Sequence, residues 1–329
     1  MNKKEFIQAL LKNHSSTPDE SLVSAYAPSN IALVKYWGKR NTELNLPVTS
    51  SLSISLAHRG VTTSLKLNEE KSDTLIINGK HESLDSSFGK RLIAFLDLFR
   101  PKNKSFHVIT QSNLPIAAGL ASSAAGFAAL TLALDLLFNW HLSDQELSII
   151  ARLGSGSAAR SLWNGFVEWH KGTEENGLDS FAQPLDITWS ELRIGLLILD
   201  HQKKLIGSRE AMNRTVKTSP FYSVWPQKVE RDLQKIKKAI MHHDFTQLGE
   251  IAENNALAMH ATMITAHPPV LYWQAATIAA MHAIWQLRKE GVPVYFTEDA
   301  GANLKLLFLK GQEEIIFKSF PDIEIISPF

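Results

Sequence analysis

Short runs that alternate apolar and polar residues in the first third of the chain predict β-strands. Residues 61–68, 74–77 and 105–110 are of this kind, and alternation places every second side chain on one face of a sheet. The second run leads into Asn78 and Gly79, a dipeptide that strongly favours a type I′ hairpin turn. The chain therefore begins with paired strands.

Helical spacing follows in the middle of the chain. Apolar residues at intervals of three and four predict one buried helix, at Phe127, Leu130, Leu134 and Leu137. The next helix is expected to begin at Ser143, because Ser143 and Glu146 have the spacing of a capping box. Leu142 and Leu147 have the spacing of the hydrophobic staple that accompanies such a box. Gly154 is expected just past the end of this helix.

The second half mixes strands and long helices without regular β-α-β alternation. The predicted elements are a continuous apolar strand at 193–200, helices at 229–241, 245–263 and 273–289 with Gly291 closing the last, and paired strands at 292–297 and 304–309. This order favours an α+β fold over a doubly wound one. At about 100–200 residues per domain, a chain of 329 residues suggests two fused domains. We expect them at 1–190 and 191–329.

The composition excludes several classes of protein. With 34 Lys and Arg against 33 Asp and Glu, the net charge of +1 gives no electrostatic footprint for nucleic acid or an anionic membrane. The absence of Cys excludes a disulfide scaffold, a thiolate metal site and a Cys nucleophile, and it fits a reducing cytoplasm. The apolar run within residues 1–12 is shorter than that of a signal peptide, so we expect a short extra helix or a frayed arm there.

An uncharged run of 21 residues, 114–134, has the length of a membrane span. Eight of these residues are Ala, and the run also contains Pro115, Gly119 and Gly126. Such small residues offer little area to lipid, and Asp135 follows where a basic flank would be expected. The pattern therefore disfavours a membrane span, and the run needs a different explanation.

A phosphate-binding loop explains the run. We expect a strand to end at Ser112, a loop of small residues to follow, and a helix to start near Ser122. The first amides of a helix lack internal acceptors and carry partial positive charge. Gly and Ala let a polyphosphate approach this backbone, and Ser hydroxyls can contact phosphate or Mg²⁺. Close helix packing also favours small residues, and the Gly-Lys-Ser/Thr of the common P-loop is missing.

Residues 113–126, Asn-Leu-Pro-Ile-Ala-Ala-Gly-Leu-Ala-Ser-Ser-Ala-Ala-Gly, resemble the phosphate loop of the GHMP small-molecule kinases in the form used by diphosphomevalonate decarboxylases. Six further segments agree with that narrower family in matching order, at 27–32, 35–40, 46–53, 154–161, 259–262 and 299–303. Plain GHMP kinases share the loop but not the whole set. The resemblance implies a two-domain α+β fold with a ribosomal protein S5-like N-terminal domain and a ferredoxin-like C-terminal domain.

The resemblance implies that the loop binds the nucleotide. The residues expected to hold ATP are Pro115, Ala118, Gly119, Leu120, Ala121, Ser122 and Ser123. Ser122 is also implied in catalysis, and Ser123 is the residue expected to contact Mg²⁺.

The other matching segments imply a substrate site. Its expected residues are Asn30, Tyr36, Lys39, Ser155, Ser157, Arg160 and Ser208. Tyr36 and Lys39 are implied to bind a diphosphate, and Arg160 to orient a carboxylate, which its planar fork suits. Lys35, Arg160 and Asp299 are the implied catalytic residues. Without the resemblance, a solvated basic turn, a surface Arg and a turn Asp would explain these positions as well or better.

Asp299 and Glu298 are rival acids at the end of a predicted strand. Strand alternation places Asp299 on one face with Tyr295 and Thr297. Glu298 then lies on the opposite face with Phe296. In similar enzymes the Asp at this position faces the C3 hydroxyl of the substrate, so Asp299 is the expected catalytic carboxylate.

Two positions depart from the family pattern. Gly207 and Ser208 stand where similar enzymes usually have Ser-Ser, so one hydroxyl at the substrate phosphates is missing. Ala302 replaces the Pro expected after Asp-Ala-Gly, which should loosen that loop slightly and leave Asp299 in place. The first departure leaves the preference for a diphosphate over a monophosphate open.

The resemblance implies ATP- and Mg²⁺-dependent decarboxylation of 5-diphosphomevalonate to isopentenyl diphosphate, with ADP, phosphate and CO₂ as the other products. One alternative is a decarboxylase or kinase that acts on a mevalonate monophosphate. Another is a catalytically silent GHMP protein that binds ligand. A cytoplasmic homodimer without nucleic-acid or membrane partners is expected.

Overall fold

The computed structural model describes residues 2–14, 17–70, 72–114, 122–202 and 204–329. The α-helices of these residues are α1 (Lys3–Leu10), α2 (Ser87–Leu96), α3 (Ser122–Phe138), α4 (Asp144–Gly154), α5 (Ser208–Thr218), α6 (Trp225–Met241), α7 (Phe245–Ile264), α8 (Ala275–Lys289) and α9 (Glu313–Ser319). Their strands are β1 (Val23–Val34), β2 (Lys39–Asn41), β3 (Leu46–Pro47), β4 (Ser51–Asn68), β5 (Thr74–Ile77), β6 (Lys80–His81), β7 (Ser105–Ser112), β8 (Phe166–Trp169), β9 (Ala182–Pro184), β10 (Leu192–Leu197), β11 (Val294–Glu298), β12 (Leu304–Leu309) and β13 (Glu324–Ile326).

The larger sheet of the described chain has seven strands in the order β6-β5-β7-β4-β8-β9, with β1 paired to β4. The 18-residue strand β4 organises it, because β1, β7 and β8 all pair antiparallel with β4. The strands β5 and β7 are parallel. The helix α3 packs on β1 and β4, so it covers the two long strands of this sheet.

The smaller sheet is antiparallel in the order β11-β12-β10-β13. Its register places Thr297 opposite Lys305 and Glu298 opposite Leu304. The helix α7 contacts both β1 and β11. One helix therefore packs against the ends of two strands that belong to different sheets.

The predicted α+β class is confirmed, since both sheets combine with helices and neither shows regular β-α-β alternation in the described residues. The division into domains at 1–190 and 191–329 stays a prediction. None of the helices in the described ranges is both long enough and apolar enough to cross a membrane.

Predictions that rest on local pattern agree with the structure. Asn78 and Gly79 both have positive φ, 49° and 77°, as a type I′ turn requires. Ser143 and Glu146 form the capping box at the start of α4. The stripe of apolar residues on α3 is buried, at Phe127, Leu130, Leu134 and Leu137.

Two local predictions were wrong, and the helix α5 was not predicted. Gly154 is the last residue of α4, and the cap is Ser155. A Cβ at Gly154 would lie 2.3 Å from the Phe127 ring, so glycine is needed there for close packing. The strand predicted at 193–200 ends at Leu197, and the helix α5 has too weak an apolar pattern to have been predicted.

The helix α1 is firmly docked on the rest of the chain. Its residues Phe6 and Ile7 are buried, and its N-cap Asn2 forms a capping box. Beyond the helix, His14 Nε2 lies 2.9 Å from Glu146 Oε1. The expected extra helix is therefore present in residues 3–10.

The pair of His14 and Glu146 makes the stability of the chain pH-dependent. Hydrogen bonds to Glu146 and to the Trp140 carbonyl raise the pKa of His14 above its ordinary value of 6.5. A group whose pKa is higher in the folded than in the unfolded state stabilises the folded protein at pH values below its unfolded-state pKa. This stabilisation is lost as the pH rises through the folded-state pKa. Replacing His14 with Gln should therefore lower the free energy of unfolding more at about pH 5.5 than at about pH 8.5.

Chemical denaturation at both pH values measures this difference. His58→Gln is the control, because His58 is exposed. Equal costs of His14→Gln at the two pH values would show that the ion pair does not stabilise the docked arm.

Candidate active site

Lys35 follows directly after β1, whose last eight residues are all buried. Its ammonium group donates hydrogen bonds to the Ala32 carbonyl at 2.7 Å and to Asp299 Oδ1 at 3.0 Å. Its backbone N–H donates to Asn255 Oδ1 on α7 at 2.8 Å. Burial lowers the pKa of Lys35, and the Asp299 carboxylate opposes that shift. The residue is thus fixed at both its main chain and its side chain.

Asp299 lies just past β11 among several ammonium groups. Lys35 lies 3.0 Å from Oδ1 and Lys305 lies 3.6 Å from Oδ2, and Lys204 donates to the neighbouring Ala300 carbonyl. Burial raises the pKa of Asp299, but the ammonium groups outweigh it and hold the pKa well below its ordinary value. Asp299 is therefore an ionised hydrogen-bond acceptor, and 28% of its side chain stays accessible.

Glu298 lies on the other face of the strand, as alternation predicts. Both of its carboxylate oxygens are 2.9 Å from Trp273 Nε1. The preceding residue, Thr297, instead faces β1, where its hydroxyl donates to the Ala32 carbonyl that also accepts from Lys35. Burial raises the pKa of Glu298 to about 8. Glu298 is thus a buried acid that contacts an indole, and Asp299 is the carboxylate that faces β1.

His260 lies beside both acids. Its Nε2 is 3.0 Å from the Asp299 carbonyl and 3.6 Å from Glu298 Oε1. Burial lowers the pKa of His260 to about 3, so the ring is neutral and supports the main chain of Asp299.

Arg160 ends a short 3₁₀ segment, Gly156–Arg160, that follows α4. It is 2% exposed, and it donates to Ser51 Oγ while its guanidinium lies 5.8 Å from the Trp169 ring centre. Burial lowers its pKa to about 10, and the Asp299 charge opposes that shift. Among the described residues, no acceptor is within hydrogen-bond distance of its Nε. Arg160 is therefore a buried cation with a donor left for a ligand.

The loop between α4 and Arg160 approaches Tyr36 closely. Ser155 Oγ and Ser157 Oγ lie 3.3 Å apart, and a Cβ at Gly156 would be 2.8 Å from the Tyr36 hydroxyl. That hydroxyl is buried without a hydrogen-bond partner in the described part of the chain. Burial raises the pKa of Tyr36, so the hydroxyl stays protonated and is available as a donor.

Asn30 supports the same loop from β1. Its Nδ2 donates to Ser161 Oγ at 2.6 Å and to the Ser157 carbonyl at 3.4 Å. The contacts of Asn30 are thus to the loop, and its role in substrate binding stays a prediction.

A second group of basic residues surrounds Lys39. Lys39 Nζ donates to Asn45 Oδ1 at 2.6 Å. Burial lowers the pKa of Lys39 to about 8, and the positive charges of Arg209, Lys3 and Arg91 act in the same direction. We call Lys3, Lys39, Arg91 and Arg209 the cation group. None of the four has a carboxylate within 4.0 Å in the described ranges, so their charges remain available to an anion.

Three members of the cation group were missed by the sequence analysis. Arg209 follows Ser208 in the first turn of α5. This position next to a predicted substrate-binding residue is the sequence feature that could have indicated Arg209. Arg91 and Lys3 lie on α2 and α1, outside the matching segments. Ser208 itself is exposed, and a Cβ at Gly207 would meet no described atom within 4 Å.

Most of the predicted nucleotide loop lies outside the described residues. This applies to Pro115, Ala118, Gly119, Leu120 and Ala121 and to the side chain of Ser122. The helix α3 begins at Ser122, as predicted, with Ser123 in its first turn. A small pocket lies beside this turn, lined by Ser123, Thr110 and the apolar side chains of Phe88, Leu92, Phe127 and Leu130.

Comparison with known proteins agrees with this arrangement. Residues 27–182 match the model of the diphosphomevalonate decarboxylase-like N-terminal domain, and residues 194–323 match that of the mevalonate 5-diphosphate decarboxylase C-terminal domain. The chain belongs to the diphosphomevalonate decarboxylase family. The resemblance stated from the sequence is thereby confirmed.

Individual members of this family are similar over nearly the whole chain. The diphosphomevalonate decarboxylase of Saccharomyces cerevisiae is 36% identical over 318 residues, which cover 89% of this chain and 79% of that protein. A structure of the mevalonate diphosphate decarboxylase from Enterococcus faecalis has a TM-score of 0.84 at 38% identity and covers 93% of this chain and 96% of its own. A structure described as MDDEF in complex with MVAPP, AMPPCP and magnesium has a TM-score of 0.85 at 39% identity, with coverage of 93% and 96%.

Gly156 is expected to be required for the packing of Tyr36. An Ala there would place its Cβ 2.8 Å from the Tyr36 hydroxyl and 3.0 Å from the Trp169 ring, and these two rings pack edge to face at 4.8 Å. Gly156→Ala should lower the free energy of unfolding by about 1–3 kcal/mol. Chemical denaturation measures this cost.

Ser155→Ala is the matched control, because its hydroxyl contacts only the Ser157 hydroxyl among described side chains. It should change stability by less than about 0.5 kcal/mol. An unchanged denaturation midpoint for Gly156→Ala would mean that the backbone of Gly156 does not pack closely against the Tyr36 ring.

Proposed function

We propose that the chain catalyses the ATP-dependent decarboxylation of 5-diphosphomevalonate to isopentenyl diphosphate, with release of ADP, phosphate and CO₂. ATP is the co-substrate and Mg²⁺ the cofactor. Membership of the family supports this function, as does the similarity to a structure described as a complex with MVAPP, AMPPCP and magnesium. The observation that carries it is the accessible Asp299 carboxylate held between Lys35 and Lys305.

The residues present fit a magnesium ion that is held mainly by the nucleotide. In the ranges that the structure describes, no group of three or more His, Cys, Asp or Glu side chains could hold a metal. Mg²⁺ usually takes one or two protein ligands together with substrate phosphates, and the Ser123 hydroxyl at the start of α3 suits that arrangement. When bound, Mg²⁺ neutralises phosphate charge.

Asp299 is the residue we assign to the C3 hydroxyl of the substrate. Its low pKa makes it a weak base before substrate binds, because Lys35 and Lys305 stabilise its charge. Anionic ligands offset those ammonium groups and make the carboxylate more basic. Asp299 then orients the hydroxyl towards the γ-phosphorus of ATP and takes its proton as the new O–P bond forms, while the bond from that phosphorus to the bridging oxygen breaks and ADP leaves.

Arg160 and Lys35 are the residues we assign to the second stage. After phosphorylation, the C3–O bond breaks, the C–C bond to the carboxylate breaks, and its electron pair forms the double bond as CO₂ leaves. Arg160 has an unpaired Nε and the planar fork that suits a carboxylate. Lys35 is held 3.0 Å from Asp299 and supplies positive charge beside the departing phosphate.

The cation group supports a diphosphate over a monophosphate as the substrate. Burial raises the pKa of Tyr36 and the charges of Arg160 and Arg209 oppose that shift, so Tyr36 lies within electrostatic reach of both Arg160 and the cation group. The hydroxyl that Gly207 lacks would have served the same phosphates. Four cations without a close carboxylate favour the more highly charged ligand.

We also propose that the protein works as a cytoplasmic homodimer, without nucleic-acid or membrane partners. The family resemblance supports the dimer, and a net charge of +1 without any Cys supports the compartment and the lack of polyanionic partners. Sedimentation analysis tests the dimer.

Asp299 is expected to be required for turnover and dispensable for binding. Asp299→Asn keeps the shape and a hydrogen bond but removes the charge, so kcat should fall by at least roughly a thousandfold as positioning and proton transfer fail together. The measurement is coupled release of ADP and CO₂, with the melting temperature and the Kd for the diphosphate determined alongside.

Glu298→Gln is the matched control, since the amide oxygen still accepts from the Trp273 indole. It should stay within a few-fold of the parent. If Asp299→Asn keeps more than about a tenth of parental turnover, or Glu298→Gln is the more damaged variant, the catalytic assignment is wrong.

Lys39 is expected to bind the non-reacting diphosphate end. Lys39→Ala should raise KM by about tenfold to a hundredfold with little change in kcat, because this contact is made in ground and transition states alike. Since the pKa of Lys39 is lowered to about 8, its ammonium charge is lost above that pH. In the parent, kcat/KM should therefore fall above about pH 8.

Lys39→Arg, which stays charged, should move that fall to higher pH. The pKa of Lys204 is also lowered to about 8, so deprotonation of Lys204 could lower kcat/KM in the same pH range. Lys204→Arg is therefore the control, and in this variant the decrease in kcat/KM caused by Lys39 should remain. An unchanged KM in Lys39→Ala would mean that the cation group does not receive the diphosphate.

A further inference from the structure

The helix α1 precedes the residues that match the family models, 27–182 and 194–323. It packs against α4 through the buried side chains of Phe6 and Ile7, and the Arg152 guanidinium on α4 lies 6.0 Å from the Phe6 ring centre. These contacts fix the position of α1 against the helix that leads into the Ser155–Ser157 loop. A residue on α1 can therefore act on the substrate site without lying in a family motif.

Lys3 is the residue of α1 that reaches the site. Its ammonium group donates to the Leu153 carbonyl at 3.1 Å. The same carbonyl accepts from Asn45 Nδ2 at 3.1 Å, and Asn45 Oδ1 accepts from Lys39 Nζ at 2.6 Å. The ammonium groups of Lys3 and Lys39 are thus joined by a chain of hydrogen bonds that runs through the Leu153 carbonyl and the buried Asn45 side chain.

The charges around Lys3 favour an anionic ligand. Burial lowers the pKa of Lys3, the exposed Glu43 raises it, and Arg209 and Arg91 lower it. The carboxylate of Glu43 accepts from the backbone N–H of Lys3 at 3.4 Å, and it lies beyond ion-pair distance of the ammonium. The Nε of Arg91 is buried without a hydrogen-bond partner in the described part of the chain. The cation group therefore contains unused donors and mutually repelling charges, which an anion would satisfy.

We propose that Lys3 is a further substrate-binding residue, which contacts the diphosphate group together with Lys39 and raises the preference for a diphosphate over a monophosphate. The proposal rests on the function proposed above. Lys3 acts on the end of the substrate that does not react, so it contributes to KM and not to kcat.

Lys3→Gln separates the charge of Lys3 from its structural hydrogen bond. The amide can still donate towards the Leu153 carbonyl, and the positive charge is gone. KM for 5-diphosphomevalonate should rise by about five- to thirtyfold, with kcat unchanged and a smaller effect on 5-phosphomevalonate. Lys3→Arg should restore most of the affinity. Lys4→Gln, at the exposed next position of the same helix, should leave both substrates unaffected.

Three outcomes would overturn the proposal: an unchanged KM for the diphosphate in Lys3→Gln, an equal rise in KM for both substrates, or a loss confined to kcat and the melting temperature. The failure of the proposed function is seen separately, as a parent protein that releases no CO₂ from either substrate. Lys3 is then tested by calorimetry with inorganic pyrophosphate. Weaker binding to Lys3→Gln than to Lys4→Gln supports its role, and equal binding overturns it.

Discussion

The active-site arrangement depends on one ion pair, between Lys35 at the end of β1 and Asp299 at the end of β11. Lys35 would be costly alone, because it is almost fully buried, and Asp299 supplies the negative charge that compensates it. Together they compensate, and the main-chain contacts of Lys35 to Asn255 and of Asp299 to His260 hold both partners in place. Removing Asp299 would leave Lys35 as a buried charge without its ion-pair partner, so the end of β1 depends on a residue at the end of β11.

The positive charges of the site fall into two sets with different tasks. Lys35, Lys204 and Lys305 surround one carboxylate and lower its pKa, so part of their positive charge is directed at a group of the protein itself. The cation group has no such carboxylate within the described ranges. The first set therefore holds a reacting group in one protonation state, and the second attracts a ligand.

Local signals in the sequence predicted much of the fold. The Asn78-Gly79 turn and the capping box of α4 depend on residues that are neighbours along the chain, and both were predicted. Strand alternation also separated Asp299 from Glu298 correctly, because that distinction needs only the period of a strand. The Gly154 prediction failed because its neighbour is Phe127, a residue on a different helix.

The candidate site was predictable only as far as its residues lie in family motifs. Lys35, Arg160 and Asp299 lie far apart in sequence, and the structure brings them together; their roles stay predictions. The partners Lys305 and Arg209 carry no motif of their own, because their positions depend on strand register and on the start of a helix with few apolar residues. Residues that reach the site only because the chain folds there have no characteristic spacing in the sequence by which they could be predicted.

The junction at Ala32 also limits how the two halves of the molecule can move. Its carbonyl accepts hydrogen bonds from Lys35 and from Thr297 on β11, and α7 binds the main chain next to it through Asn255. A hinge that opened here would break several buried hydrogen bonds at once. Conformational adjustment during turnover therefore has to come from segments away from this point, while the strand ends that carry Lys35 and Asp299 move as one rigid unit.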